Sequence, residues 1–381
     1  MKRFTFAIAL VALLLAACGG KDEPGTQASQ TPTTSPTPAV GPALVYSTTS
    51  NCPSSSCAAS EWAADRKNDL WIYEIESGTH YRLTTDGDTV VEVLPQFTGR
   101  NTVSFVQGDK EQKPGSALFE LDLKAGSSAT ELFKVEGGTI FRYDWSSDGS
   151  SVAFLNFDDE GASALRIWTR SDGKIRTVKS FPALLGRGVG LEDEVSVAWS
   201  PDGKSILVVD TFRDPPLTVT MWVLDLAGKD IVPARAGTFG RWGSDSKTIY
   251  YKDYSGSGDW FRLSASDNKR AKLAIPDERL NPAVSPRGDF IALNDGGSKP
   301  SVYIFDVEKG IERKLAAGVV PVWLSDMEMA ITDVRPCTAE EECFEGPPWK
   351  PLGTASTLRA GGTKTDARFP GWTLNADVKT F

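Results

Sequence analysis

The segment Trp199-Ser200-Pro201-Asp202-Gly203 leads into the apolar run Ile206-Leu207-Val208, and a close copy starts at Trp145. In both copies an aromatic residue precedes a polar turn and then a strand-like apolar run. Successive copies lie between 39 and 54 residues apart. A period of about 40–50 residues with strand-like content is typical of a β-propeller with one repeat per blade. Weaker copies start at Phe97, Trp242, Val284, Trp323 and Trp372.

One repeat contains enough short apolar runs for four strands. In the repeat around Trp199 these runs cover residues 195–200, 205–210, 218–226 and 230–234, and each is bounded by turn residues. The recurring tryptophan is interpreted as core packing between neighbouring blades. The repeats therefore predict a single all-β domain, a seven-bladed propeller of four-stranded antiparallel blades, with six or eight blades as the alternatives.

The two ends of the repeat region complement each other. Residues 43–48 resemble a second strand without a first, whereas residues 370–372 resemble a first strand without a second. The sequence therefore predicts that the C-terminal strand closes the blade that the N-terminal strand begins. Such closure removes open sheet edges.

The N-terminus has the features of an export and anchoring signal. Residues 1–17 combine basic residues with an apolar run that is too short to span a bilayer, and Ala16-Ala17-Cys18 follows at its end. This arrangement resembles the lipobox of bacterial lipoproteins, which implies cleavage after Ala17 and lipidation of Cys18. Residues 18–42 are rich in Pro, Thr and Ser and predict a lipid-anchored linker, and residues 43–381 form the propeller.

Four further cysteines, an even number, fit two disulfides in an exported protein. They are Cys52, Cys57, Cys337 and Cys343. Three pairings are open, and the two local ones are favoured. Both pairs fall in long segments between a second and a third strand, at 51–68 and 335–354, so these loops are expected to lie on one face. Trp62, Trp349 and Phe344 lie in the same segments and are the candidate partner-binding residues.

The chain carries few residues suited to catalysis. His80 is the only histidine, it is expected at a short turn between a third and a fourth strand, and no G-x-S-x-G motif occurs. We therefore predict no catalytic residue, no metal site and no cofactor, with calcium at residues 86–88 or 158–160 as the alternative. The net charge of −9 without a basic stripe argues against nucleic acid as a partner.

The W-S-x-D-G turns and the strands that follow resemble TolB-type (PD40, WD40-like) propeller repeats, over about residues 44–381. The resemblance implies an exported propeller that binds other proteins or envelope components. We expect a monomeric, extracytoplasmic lipoprotein, anchored to a bacterial membrane through Cys18, that binds a cell-envelope protein or polymer without catalysis. The alternative is a propeller enzyme of the lyase or lactonase type, with carboxylates or a metal at the central channel.

Overall fold

A computed structural model describes residues 43–48, 69–74, 79–84, 91–99, 101–108, 115–123, 128–158, 162–181, 195–212, 218–296, 299–325, 327–336, 349–360, 364–370 and 376–379. All of these residues belong to one compact unit. The segments predicted as signal (1–17) and linker (18–42) lie outside these ranges. Within the ranges, no helix is long and apolar enough to cross a membrane.

The described residues form strands joined by turns. In chain order the strands are β1 (Ala43–Thr48), β2 (Asp69–Glu74), β3 (Thr79–Arg82), β4 (Val91–Gly99), β5 (Thr102–Gly108), β6 (Ala117–Asp122), β7 (Thr130–Lys134), β8 (Thr139–Trp145), β9 (Ser151–Phe157), β10 (Ser163–Thr169), β11 (Ile175–Phe181), β12 (Ser196–Trp199), β13 (Ser205–Phe212) and β14 (Thr218–Asp225). They continue as β15 (Asp230–Trp242), β16 (Thr248–Asp253), β17 (Trp260–Ser264), β18 (Arg270–Lys272), β19 (Arg279–Val284), β20 (Phe290–Asp295), β21 (Ser301–Asp306), β22 (Ile311–Ala317), β23 (Val319–Trp323), β24 (Glu328–Pro336), β25 (Trp349–Arg359), β26 (Lys364–Pro370) and β27 (Ala376–Lys379).

These strands pair antiparallel in four-stranded groups. The orders are β27-β1-β2-β3, β4 to β7, β8 to β11, β19 to β22 and β23 to β26, and a seven-stranded sheet runs from β12 to β18. The seven-stranded sheet consists of two such groups, because the 13-residue strand β15 ends one and begins the next. We call the groups blades 1–7 in chain order. The all-β propeller class is confirmed, and the number of blades in the ring stays a prediction.

The first strand of each blade contacts the first strands of its neighbours. The contacts run in the cyclic order β27, β4, β8, β12, β15, β19, β23 and back to β27. The first strands therefore surround the central channel. The sequence motif is placed as predicted, because its aromatic or apolar residue lies at or near the end of a first strand in blades 2–7. These residues are Phe97, Trp145, Trp199, Trp242, Val284 and Trp323.

The chain ends meet in blade 1. Strand β27 pairs with β1, with Ala43 opposite Lys379 and Tyr46 opposite Ala376. The predicted closure by the C-terminal strand is confirmed, but its predicted position is wrong. Pro370 belongs to β26, because residues 364–370 are needed as the fourth strand of blade 7. The closing strand starts at Ala376, and Trp372 lies outside the described residues.

Indole groups link neighbouring blades. In three cases the indole N–H donates to the backbone carbonyl of the residue just before the motif position of the preceding blade. A buried indole N–H needs such a partner, and the carbonyl fixes where the ring lies. The fourth indole instead reaches a side chain on β5. The bonds are Trp199 Nε1 to Asp144 O (3.0 Å), Trp242 Nε1 to Ala198 O (3.1 Å), Trp323 Nε1 to Ala283 O (2.8 Å) and Trp145 Nε1 to Ser104 Oγ (2.9 Å).

The indole bond at Trp199 can be tested against an indole that has no partner. Trp168 is also buried, but its Nε1 makes no hydrogen bond. Trp199→Phe removes a bond, whereas Trp168→Phe removes only an unsatisfied donor. We expect Trp199→Phe to lower the free energy of unfolding by about 1 kcal/mol more than Trp168→Phe does. Urea unfolding of both variants measures the difference, and equal losses would contradict the role of the bond.

Candidate functional site

Most of the residues predicted to be functional lie outside the described residues. They are Cys18, Cys52, Cys57, Cys337, Cys343, Trp62 and Phe344. Lipidation, the disulfides and partner binding at Trp62 and Phe344 therefore stay predictions. The candidate calcium segment at 86–88 also lies outside the described ranges.

The sequence predicted that Trp349 lies in a loop, and this prediction is wrong. Trp349 is the first residue of β25, and its register partner is Pro336 at the end of β24. The expected loop at 335–354 is therefore shorter, because β24 and β25 continue their pairing past a register shift between Thr332 and Val334. Residues 337–348, which join these two strands, lie outside the described residues.

The other chemical candidates from the sequence do not meet. His80 lies within the outermost strand β3, paired with Tyr73, and not at the expected turn. Asp158 closes a hairpin, because its Oδ1 accepts from Ala162 N at 2.8 Å. In the part of the chain that the structure describes, no three His, Cys, Asp or Glu side chains converge on a possible metal position.

The first strands themselves are irregular. Leu94, Phe239 and Asn281 have positive φ angles of 56°, 54° and 49°. All three stand three positions before the motif residue of their blade, and each lies at a register shift within β4, β15 or β19. Such residues in the left-handed region cost about 1–3 kcal/mol each, and bulges of this kind redirect the neighbouring side chains. Strain is thus concentrated at the strands around the channel.

Asp144 lies on the channel side of these strands. Its Oδ2 accepts from the backbone N–H of Trp199 at 2.7 Å. Trp199 is the last residue of β12, and the backbone N–H of the next residue, Ser200, already bonds toward β13. The N–H of Trp199 therefore points to the inner edge of β12. Asp144 caps this edge from the neighbouring strand β8.

Two arginines also belong to the first strands. Arg142 Nε donates to Val195 O at 3.2 Å, so it bridges β8 to the start of the next blade. Arg241 Nη1 donates to Gly240 O at 2.8 Å. Burial lowers the pKa of the Arg241 guanidinium, and the charge of Asp144 opposes this shift. Since Asp144 belongs to blade 3 and Arg241 to blade 5, the two charges interact across the inner edge of blade 4.

A cleft of about 500 Å³ opens beside Asp144, between blades 2 and 3. It lies where β4 and β8 end, on the face of the first-to-second-strand turns, which we call the turn face. Its lining is polar and backbone-rich. The lining residues are Gln96, Phe97, Thr98, Gly99, Asp144, Trp145, Ser146, Ser147, Asp148 and Gly149.

A charged pair holds the two walls of the cleft together. Arg170 donates to both carboxylate oxygens of Glu120, at 3.1 and 2.8 Å, and its Nε reaches Gly149 O. The guanidinium carbon also lies 4.9 Å from the ring centre of Trp145. Burial alone would raise the pKa of Glu120, but hydrogen bonds from Arg170 and Thr98 outweigh it and the pKa is lowered. The pair thus stays ionised and braces blade 2 against blade 3.

Sequence reasoning missed these residues, although a signal for them exists. In the repeat position just before the motif residue, blades 4, 6 and 7 carry Ala198, Ala283 and Val322. Blades 2, 3 and 5 carry Gln96, Asp144 and Arg241 instead. A polar residue at a position that is otherwise small or apolar marks the side chains that face the channel or the cleft.

This chain is similar to known proteins in three-dimensional structure. No protein-family model matches the chain, and no curated protein matches its sequence. The structure is similar to oligogalacturonate lyase in complex with manganese, with 14% identity, 80% of this chain and 85% of that chain covered, and a TM-score of 0.58. It is similar to a puromycin-hydrolysing peptidase of Mycobacterium tuberculosis, with 14% identity, 86% and 53% covered, and a TM-score of 0.56. TolB from Acinetobacter baumannii also matches, with 16% identity, 87% and 88% covered, and a TM-score of 0.49.

These likenesses concern the fold alone. The predicted propeller fold is confirmed by the likeness to oligogalacturonate lyase. The first two similar structures are named as a lyase and a peptidase, so the shared architecture occurs with different activities.

The carboxyl group of Asp148 at the rim of the cleft provides a test of the turn chemistry. The hydroxyl of Ser146 donates to Asp148 Oδ1 at 2.6 Å, and with the bonds from Ser150 it lowers the pKa of Asp148 to about 2. Asp148 therefore adds stability above its ordinary pKa, and this contribution is lost as the pH falls toward 2. We expect Ser146→Ala to raise the pKa of Asp148 toward its ordinary value, measured by NMR titration. Ser147→Ala, in the same turn, should leave it unchanged, and an equal rise there would contradict the assignment.

Proposed function

We propose that this protein is a bacterial lipoprotein outside the cytoplasm, anchored through Cys18, whose propeller binds a cell-envelope protein or polymer without catalysis. The sequence supports the anchoring, because a basic start, an apolar run and small residues before a cysteine occur together. The residues of segment 18–42 would tether the propeller to the membrane. The binding role is supported by the shape of blade 7.

The observation that carries the binding role is a two-stranded ribbon in blade 7. The ribbon consists of residues 333–336 of β24 and residues 349–353 of β25. It lies on the face opposite the turn face, where second strands end and third strands begin, and we call this side the loop face. The first strand β23 starts to pair with β24 at Thr332, and the last pair of β25 with β26 is at Thr354. Among the described strands, the ribbon therefore extends beyond its blade by about 13 Å at 3.3 Å per residue.

A projecting ribbon is suited to recognition rather than to packing. It contributes nothing to the contacts between the first strands, and its outer edges have no described strand beside them. Exposed strand edges and tryptophan are both used in protein recognition. The candidate residue Trp349 lies in this ribbon, and Cys337 and Cys343 belong to the segment that joins its strands.

The enzyme alternative also has one supporting observation. Asp144 and Arg241 place a carboxylate and a guanidinium at the channel, where an enzyme of the lyase type would work. The metal version of this alternative lacks support in the described residues, since His80 lies in an outer strand. We therefore favour binding as the function of the fold.

Lipidation predicts a simple cellular outcome. Cys18→Ser removes the thiol that would carry the acyl chains, and two or more chains are needed for stable anchoring. We expect the variant to lose incorporation of labelled palmitate and to leave the membrane fraction. Cys52→Ser serves as the control and should keep both. Palmitate labelling of the Cys18→Ser variant at the wild-type level would contradict the anchor.

The binding face can be tested by site-specific photo-crosslinking in cells. A photoreactive residue at position 349 should crosslink to one defined envelope partner, because the ribbon would contact it. The same residue at Ser147, on the turn face, is the control and should give several-fold less of that product. Mass spectrometry and polysaccharide digestion distinguish a protein from a polymer. Equal crosslinking at both positions would refute the ribbon as the binding site.

A further inference from the structure

Arg241 forms no ion pair within the described residues. Its guanidinium donates to the carbonyl of the neighbouring residue Gly240, and no other hydrogen bond or ion pair forms between Arg241 and the rest of the described chain. The residue is only partly exposed, and protein atoms surround the guanidinium closely enough to lower its pKa. This combination is expected for a side chain that points into a narrow channel.

An arginine in such a position is unusual on energetic grounds. Taking a guanidinium out of water costs several kcal/mol unless a counter-charge and hydrogen bonds replace the solvent. Two arginines of this chain follow that rule, whereas Arg166 and Arg235 each have a buried Nε that makes no hydrogen bond in the described residues. Arg279 makes two hydrogen bonds of 2.8 Å to Glu312, and Arg170 makes its pair with Glu120. Arg241 alone among these three has only a neutral carbonyl.

The backbone around Arg241 is strained in a way that fixes its position. Phe239 has a φ of 54°, and the register of β15 shifts between Thr238 and Arg241. A Cβ atom at Gly240 would lie only 3.1 Å from Leu207 and Val209, so the strand approaches the preceding blade closely. Strain of this kind persists when it serves a purpose such as pre-organising a site. Here it occurs in the strand that contacts the first strands β12 and β19 of the neighbouring blades.

A guanidinium group suits an oxyanion. Its planar arrangement of N–H groups can donate two parallel bonds to the oxygens.

We propose that Arg241 anchors a binding site for a small carboxylate anion in the channel of the propeller. The neighbouring charge of Asp144 selects against a doubly charged group, because a dianion would meet twice the repulsion that a carboxylate meets. The site does not depend on the partner proposed for the loop face.

The proposal is tested by titrating the full chain in detergent with sodium gluconate, using isothermal titration calorimetry and thermal unfolding. Sodium sulfate is the dianion probe, and sodium chloride keeps the ionic strength constant. We expect gluconate to bind and to raise the unfolding midpoint by about 2–4 °C at roughly ten times its Kd. Sulfate should bind about tenfold more weakly or not at all. Absence of gluconate binding, or an equal response to both salts, would overturn the proposal.

Matched variants assign the binding to Arg241. Arg241→Gln should weaken gluconate binding by about tenfold or more, because the charge-assisted bonds are lost. Arg262→Gln removes the same charge from an exposed position of β17 in the same blade and should leave binding unchanged. Equal weakening in both variants would indicate a general charge effect and would overturn the assignment.

Stability without ligand separates a binding role from a structural one. If Arg241 serves to bind an anion, the substitution Arg241→Gln should leave the unfolding midpoint of the ligand-free protein unchanged or raise it, because it removes an unpaired charge. A fall of several degrees would show that Arg241 supports the fold and would overturn the proposal. Arg241→Lys covers the case in which the glutamine variant does not fold. The lysine variant keeps the charge but loses the paired donors, so we expect it to bind gluconate several-fold more weakly. Unchanged binding would overturn the proposal.

A long poly-L-glutamate distinguishes the source of the carboxylate. The channel is lined by first strands that touch their neighbours, so we expect gluconate to bind at least about tenfold more tightly, per carboxylate, than the polymer. This outcome supports a free small molecule as the ligand. Tighter binding of the polymer that is lost in Arg241→Gln would overturn the small-molecule assignment.

Discussion

The hydrogen bond from an indole N–H to the carbonyl of the preceding blade is the constraint on which the ring depends. Blades in a propeller share little backbone pairing, so their relative positions rest on side-chain packing and on such bonds. Trp199, Trp242 and Trp323 each reach back to the same repeat position. A directional bond adds what apolar packing lacks, because it fixes the angle and the height of one blade against the next.

The same bond couples the framework to the candidate site. Its acceptor at Trp199 is the carbonyl of Asp144, while the carboxylate of Asp144 caps the inner edge of β12. The carbonyl and the carboxylate of this one residue thus both bond to the next blade. The acceptors Asp144, Ala198 and Ala283 differ in side chain without loss of the indole bond, since only their carbonyl takes part in it.

The fold was largely predictable because the repeat reports local structure. Turn chemistry at Ser200-Pro201-Asp202-Gly203 and alternating apolar runs place strands without knowledge of their neighbours. The closing strand was misplaced by a few residues, because Trp372 matches the motif while pairing with β1 starts only at Ala376. The site was less predictable, because Asp144 and Arg241 lie 97 positions apart in sequence, in blades 3 and 5. The left-handed conformation of Phe239 also leaves no signal in an ordinary apolar residue.

The continuous strand β15 gives blades 4 and 5 a property that the other neighbours lack. Elsewhere a blade passes to the next through a break in pairing, whereas here 13 consecutive residues hydrogen-bond first to β14 and then to β16. Local unfolding of either blade therefore breaks hydrogen bonds of the strand that both blades share. We expect the amide hydrogens of blades 4 and 5 to exchange as one cooperative unit. New chain ends would be poorly tolerated within β15, so circular permutation should be confined to the connections between other blades. Since Arg241 belongs to this strand, its position is held by two sheets at once.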